Sequence, residues 1–151
     1  MGIKFQKGYD ISIKGDIPIN AGVASSSALV IGWLYFLDHI TNNTLSKFQL
    51  ALDGYNVEVK EFNEAGGMMD HFTATFGKLI YLEQTSSRPN LITFDLSLNG
   101  FVLGNSLEKK STVEDLINVK KTTLNSFRTL KESMPNFNLF KTLIDDVIPF
   151  L

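Results

Sequence analysis

The sequence predicts an α+β protein, an antiparallel or mixed sheet with helices packed on it, and three observations predict this. Tyr9, Ile11 and Ile13 alternate with Asp10, Ser12 and Lys14, the period of a half-buried strand. Phe48, Leu52, Tyr55, Val59 and Phe62 recur at three-to-four spacing, the period of an amphipathic helix. Leu91 to Leu96 and Gly100 to Leu103 flank Asn99-Gly100, the strongest short hairpin signal in the chain. At 151 residues the chain is long enough to bury a core of its own.

Each element follows from its residues. Gly15-Asp16 and Pro18 end the first strand, and Asn20 to Ala24 read as a loop. A helix is expected from about Ser25 to Ile40. Its run from Ala28 to Leu37 is apolar on every face, which predicts a central helix covered on both sides. Thr44 is placed to cap the next helix, about Leu45 to Phe62. Gly66-Gly67 interrupts the pattern and Met68 to Phe76 resumes it. Gly77-Lys78 opens a strand over Leu79 to Glu83, and Thr85 to Asn90 form a polar loop. Ser111-Thr112-Val113-Glu114 has the form of a capping box, so a helix should run from there to about Ser133, ended by Pro135. A last helix would carry Phe137, Phe140, Ile144, Val147 and Leu151 on one face.

Composition narrows the classes. Fourteen basic and sixteen acidic residues give a formal charge of −2, with no basic stripe to suit nucleic acid. Cysteine is absent, so neither a disulfide framework nor a thiolate metal site is available. The first sixteen residues mix lysines with alternating apolar residues, unlike a signal peptide. The ten-residue apolar run is well short of the roughly 20 that a bilayer requires, and the expected location is the cytoplasm. No nucleic-acid or membrane partner is expected.

Two stretches carry chemistry. In the first, Gly22 and three consecutive serines, Ser25 to Ser27, precede the apolar helix. Small residues let a ligand approach the backbone, and the free amides of a helix start point outward with partial positive charge. That is an anion cradle rimmed by hydroxyls, or else an ordinary Ser-capped helix after a loop. In the second, Asp70 sits after Gly66-Gly67 among Met68, Met69, Phe72 and Phe76. An acid in such company suits a hydroxyl, a cation or a metal; alternatively it caps the short helix or faces solvent. Glu58 falls on the apolar flank of the preceding helix beside Tyr55 and Phe62, whereas Glu61 and Glu64 read as solvated. His39, near a helix end, reads as a surface residue favoured by the dipole. His71 adjoins Asp70 with no second ligand at metal spacing.

Together the two stretches resemble the GHMP kinases, galactokinases in particular. Pro18-Ile19-Asn20-Ala21-Gly22-Val23-Ala24-Ser25-Ser26-Ser27-Ala28-Leu29 is similar to the phosphate loop of that family, and Gly66-Gly67-Met68-Met69-Asp70-His71-Phe72 resembles its Gly-Ile-Met-Asp-Gln-Phe signature about 45 residues further on. The resemblance runs from about Tyr9 to Ser106. It implies a sheet with packed helices like that of a ribosomal small-subunit protein. Residues 1–106 would be a partial N-terminal, ATP-binding domain, and residues 107–151 the opening helices of the C-terminal region. It implies ATP and Mg²⁺. Gly22, Val23, Ala24, Ser25, Ser26, Ser27 and Ala28 would hold the nucleotide phosphates, Ser26 and Glu58 would ligate Mg²⁺, Asp70 would be the catalytic acid that orients a sugar hydroxyl, and Gly67 would approach the sugar through its backbone. Ser25 replaces Ser26 as metal ligand if the register slips by one.

The departures are specific. Asn20 stands where the family usually has Gly, Ala24 where it has Gly or Ser, Ser27 where it has Ala, and His71 where it has Gln; Asn63 sits near a usual Gly. Asn tolerates left-handed backbone angles, which keeps the loop viable. The family's upstream Arg and Gly-Glu-His motif and its later Gly-rich motif have no counterpart in these residues, so the resemblance implies an internal, inactive piece of a kinase about twice this length. Its partner would be a small-molecule sugar, and its exposed apolar helices would favour self-association. Two other classes stay open: a non-catalytic sensor that binds sugar and nucleotide, kept open by Asn20 and Ala24, and an RNA-binding module, which the near-neutral charge disfavours.

Overall fold

The computed structural model describes residue 5 and residues 7–62, 64, 66–85, 88–96, 99–104 and 112–150. In order the chain forms α1 (Ser25–Ile40), α2 (Lys47–Tyr55), a π-helical segment (Asn56–Glu61), α3 (Met69–Phe76), β1 (Leu79–Glu83), β2 (Asn90–Phe94), α4 (Thr112–Ser133), α5 (Ile144–Val147) and a 3₁₀ turn (Ile148–Phe150). Helices and a two-stranded antiparallel sheet make it α+β, as expected.

α1, α2 and α3 pack on one another in every pairing, and the core lies between them. Phe72 is its centre, fully buried, with Phe48 edge-on at 5.2 Å and Phe76 stacked at 6.1 Å. Leu50, Ala51 and Val59 complete it from α2 and the π-helical segment. The α1–α2 connection is held by local bonds that follow from its polar residues. Thr41 Oγ1 donates to the Leu37 carbonyl at 2.7 Å, and Asp38 Oδ1 accepts from the Leu45 amide at 3.1 Å. The cap of α2 is Ser46, whose Oγ accepts the Gln49 amide at 3.1 Å, rather than the expected Thr44.

The sheet pairs Leu79 with Phe94 and Tyr81 with Ile92 on one face, Ile80 with Thr93 and Leu82 with Leu91 on the other. This replaces the expected hairpin about Asn99-Gly100. Gly100 does take the left-handed φ of 98° that such a turn favours, but residues 99–104 form no ladder among the described residues, and the partner of β2 is β1. The β1–β2 connection closes instead through Thr85, whose Oγ1 donates to the Arg88 carbonyl at 2.6 Å.

Three further expectations are corrected. Residues 8–16 form no strand among the described residues, since alternation alone gives extended chain and a strand needs a ladder partner. They run beside α1, with Tyr9 edge-on to Phe36 at 5.9 Å. α1 is not covered on both sides: only Ser27 and Ile31 are buried, while Leu29, Trp33 and Tyr35 stay exposed because α2 and α3 share a single side of it. The last helix shrinks to Ile144–Val147, since Asn138 Oδ1 accepts the Phe140 amide at 2.9 Å and Thr142 Oγ1 accepts the Asn138 amide at 2.8 Å, bonds that favour turns over helix. Ser111 of the expected capping box, Leu151, Asn63 and the 106/107 boundary lie outside the described residues.

Candidate active site

The loop before α1 curls through three left-handed residues, Asn20 (φ 60°), Gly22 (φ 73°) and Ala24 (φ 56°). Gly adopts such angles freely and Asn tolerates them, whereas the Ala methyl opposes them at a cost of about 1–2 kcal/mol. Ala24 is also the N-cap of α1, and with no side-chain oxygen it caps nothing. The three serines are not caps but the first turn itself. Ser25 is half-buried, Ser26 exposed and Ser27 buried, so the hydroxyl open to a ligand is that of Ser26. The turn holds no acidic residue of its own to compensate the positive end of the helix dipole. Gly22 is exposed and Val23, Ala24 and Ala28 are half-buried around it.

The second stretch leads into α3, which packs on α1. A short connection returns α2 alongside α1, and Gly54, near the end of α2, lies against Ile31 in the first half of α1. A Cβ added at Gly54 would lie 2.6 Å from Ile31 Cδ1 and 3.2 Å from His71 Cδ2. One turn back along α1 from Ile31 is Ser27, and one turn on from Gly54 is Glu58.

Glu58 belongs to the π-helical segment, whose wider turn is marked by the Phe62 amide donating to the Val57 carbonyl at 3.1 Å. π-turns inside α-helices are frequent at functional sites. The Glu58 carboxylate accepts from His71 Nε2 at 2.7 Å, with side-chain exposures of 14% and 2%. His71 Nδ1 is buried and has no partner among the described residues. Sequence reasoning did not pair these two residues. The available signal was a histidine next to Phe72 on the inward side of a short apolar helix, thirteen positions from a half-buried Glu.

Asp70 is in the first turn of α3, where the helix dipole favours a carboxylate. The cap position belongs to Met68, so Asp70 does not cap the helix. It is half-exposed, and among the described residues no ion pair or hydrogen bond engages its carboxylate. Gly67 is exposed, and a Cβ there would meet nothing within 4 Å, so its backbone is open to approach. Glu61 and Glu64 are exposed, as is His39 in the last turn of α1. Among the described residues no three His, Asp or Glu side chains gather closely enough to hold an ion, and no helix is long and apolar enough to cross a membrane. A cation here would therefore take oxygen from a hydroxyl, a carboxylate and a phosphate it is bound with, the donor set that hard Mg²⁺ prefers.

The model of the N-terminal domain of GHMP kinases matches residues 1–78, slightly over half of the chain and inclusive of both stretches. The chain belongs to the GHMP kinases. The relatives it resembles include galactokinases and a heptose phosphate kinase. A galactokinase of Clostridium perfringens (strain SM101) is 29% identical over 135 residues, 87% of this chain and 35% of the relative. A galactokinase of Exiguobacterium sibiricum is 40% identical over 79 residues, 51% of this chain and 20% of the relative. The D-glycero-alpha-D-manno-heptose 7-phosphate kinase of Campylobacter jejuni is 28% identical over 75 residues, 50% of this chain and 22% of the relative. The chain thus spans about a third of the length of the Clostridium galactokinase it matches. No solved structure matches it.

Proposed function

We propose that the full-length protein is an ATP- and Mg²⁺-dependent kinase that phosphorylates a hydroxyl of a sugar, in the manner of galactokinases. The observation that carries the reading is the family match over residues 1–78, which takes in the serine-rich loop and the Gly-Gly-Met-Met-Asp stretch together. Residues 1–106 are assigned to the nucleotide-binding N-terminal domain and 107–151 to the start of the C-terminal helical region.

In this reading the backbone of Gly22 to Ala28 receives the nucleotide phosphates at the uncapped start of α1, where amides and dipole favour negative charge. Ser26 and Glu58 hold Mg²⁺; when bound, the ion neutralises charge on the phosphates. Asp70 accepts a hydrogen bond from the sugar hydroxyl, orients its oxygen toward the phosphoryl group and is placed to take its proton. Gly67 lets the sugar lie against the backbone. Phosphoryl transfer asks a protein mainly for positioning and charge neutralisation, and these groups supply both.

The test is phosphorylation of galactose and related sugars by the full-length protein with ATP and Mg²⁺. Sugar-dependent ADP formation is expected. Nucleotide binding that responds to sugar without any turnover would replace the kinase reading with that of a sensor, and absence of both would remove the nucleotide site.

A further inference from the structure

We propose that His71 is a positioning residue: its imidazole holds the Glu58 carboxylate in place for a divalent cation. The proposal rests on the reading of Glu58 as a metal ligand and adds to it a residue outside the ligand set.

The geometry is one-sided in an informative way. A carboxylate only accepts, so His71 Nε2 is the donor in the 2.7 Å bond, and it engages Oε2. Among the described residues Oε1 is unclaimed, which leaves one oxygen of a fixed carboxylate for a cation. The ring itself has little freedom. Its Cδ2 edge faces Gly54 so closely that a methyl group there would press on it, and Tyr55 stands edge-on at 6.0 Å. Among the described residues Nδ1 has no partner, so none of them competes to turn the ring away from Glu58.

Burying an imidazole with one nitrogen unsatisfied has a desolvation cost that an apolar side chain of similar shape would avoid. The group that offsets it is Glu58. That residue sits on a π-helical segment and has a long side chain, which left free would lose rotamer freedom each time a cation bound. With His71 bonded to it, that ordering is already done before the cation arrives, the usual role of an outer-shell hydrogen bond.

The experiment uses Mn²⁺ as probe, titrated into the full-length protein with ADP and followed by the electron paramagnetic resonance signal of free Mn²⁺. His71→Leu is expected to weaken Mn²⁺ binding by about 10–100-fold, the range found for loss of outer-shell partners. ADP affinity without metal should be unchanged. His71→Gln, whose amide nitrogen replaces Nε2, should restore most of the affinity, whereas His71→Asn, which stops short of Glu58, should not. If His71→Leu does not fold, the Gln and Asn pair carries the same comparison. Wild-type Mn²⁺ affinity in the Leu or Asn variant, or equal losses in Gln and Asn, would overturn the proposal. Glu58→Gln separates the two levels. If it weakens Mn²⁺ binding while the His71 variants do not, only the positioning role falls; if it leaves Mn²⁺ binding intact, Glu58 is not a ligand and both fall.

Discussion

Gly54→Ala probes the crossing on which the candidate site is built. The new methyl carbon would stand 2.6 Å from Ile31 Cδ1 and 3.2 Å from His71 Cδ2. The first distance is far inside van der Waals contact, and the second requires a few tenths of an ångström of movement. Ile31 is 7% exposed, so its terminal carbon has little empty space to enter. Overpacking of this kind costs about 1–3 kcal/mol. Against it stands the helix preference of Ala over Gly, worth about 1 kcal/mol at an interior position. The balance is a net destabilisation of about 1 kcal/mol, read as a fall of about 2–4 °C in the unfolding midpoint of a domain near this size. The decisive comparison is the double mutant. Ile31→Val deletes Cδ1, the atom that clashes, and alone should cost about 0.5–1.5 kcal/mol. Combined with Gly54→Ala it should cost less than the sum of the singles, because the methyl then fills the space that Cδ1 leaves. Thermal unfolding of the four proteins measures the cycle. A Gly54→Ala protein more stable than wild type, or strict additivity with Ile31→Val, would mean that α1 and α2 do not meet at this glycine.

Three further outcomes are expected. Ala24→Gly removes a methyl from a left-handed residue, and after the greater flexibility of the unfolded Gly chain is allowed for should stabilise the protein by about 0.5–1 kcal/mol in denaturant unfolding; a loss would show that the methyl packs productively. Asp70→Asn should lower turnover about 10²–10⁴-fold with nucleotide affinity unchanged, and a turnover near wild type would remove Asp70 from the chemistry. Ser26→Ala should move the midpoint of the Mg²⁺ titration of activity upward by about tenfold, the equivalent of about 1.4 kcal/mol of lost ligation, whereas the same change at buried Ser27 should appear in stability instead. An unmoved Mg²⁺ midpoint in Ser26→Ala would exclude that hydroxyl as a ligand.

What was legible in the sequence was local. The limits of α1 follow from the serines before its apolar run and the Thr-Asn-Asn-Thr after it, and β1 follows from Gly77-Lys78 opening the apolar run Leu79 to Leu82. Features fixed by distant partners were not legible. Residues 9–13 and 100–103 have strand-like composition, yet a strand needs a ladder partner, which composition does not supply, and β1 and β2 pair with each other. The π-helical segment leaves no composition signal, since widening by one residue preserves apolar spacing over a single turn. In the site, Ser26, Glu58, Gly67 and Asp70 were named from motifs, and the structure adds their exposure and surroundings. The Glu58–His71 pair came only with coordinates, because thirteen positions of separation carry no periodic relation across two helices and a glycine break.

The contacts also link the two stretches mechanically. Ile31 follows Ser27 by one turn of α1, touches the space over Gly54, and through that space neighbours the edge of His71, which holds Glu58. Ile31 and the ring that bonds the Glu58 carboxylate thus share the space that Gly54 leaves open. Gly54 is what permits this closeness, since any larger residue would part Ile31 from His71. On this reasoning Gly54→Ala should weaken Mn²⁺ binding as well as stability, and Ile31→Val should recover both together.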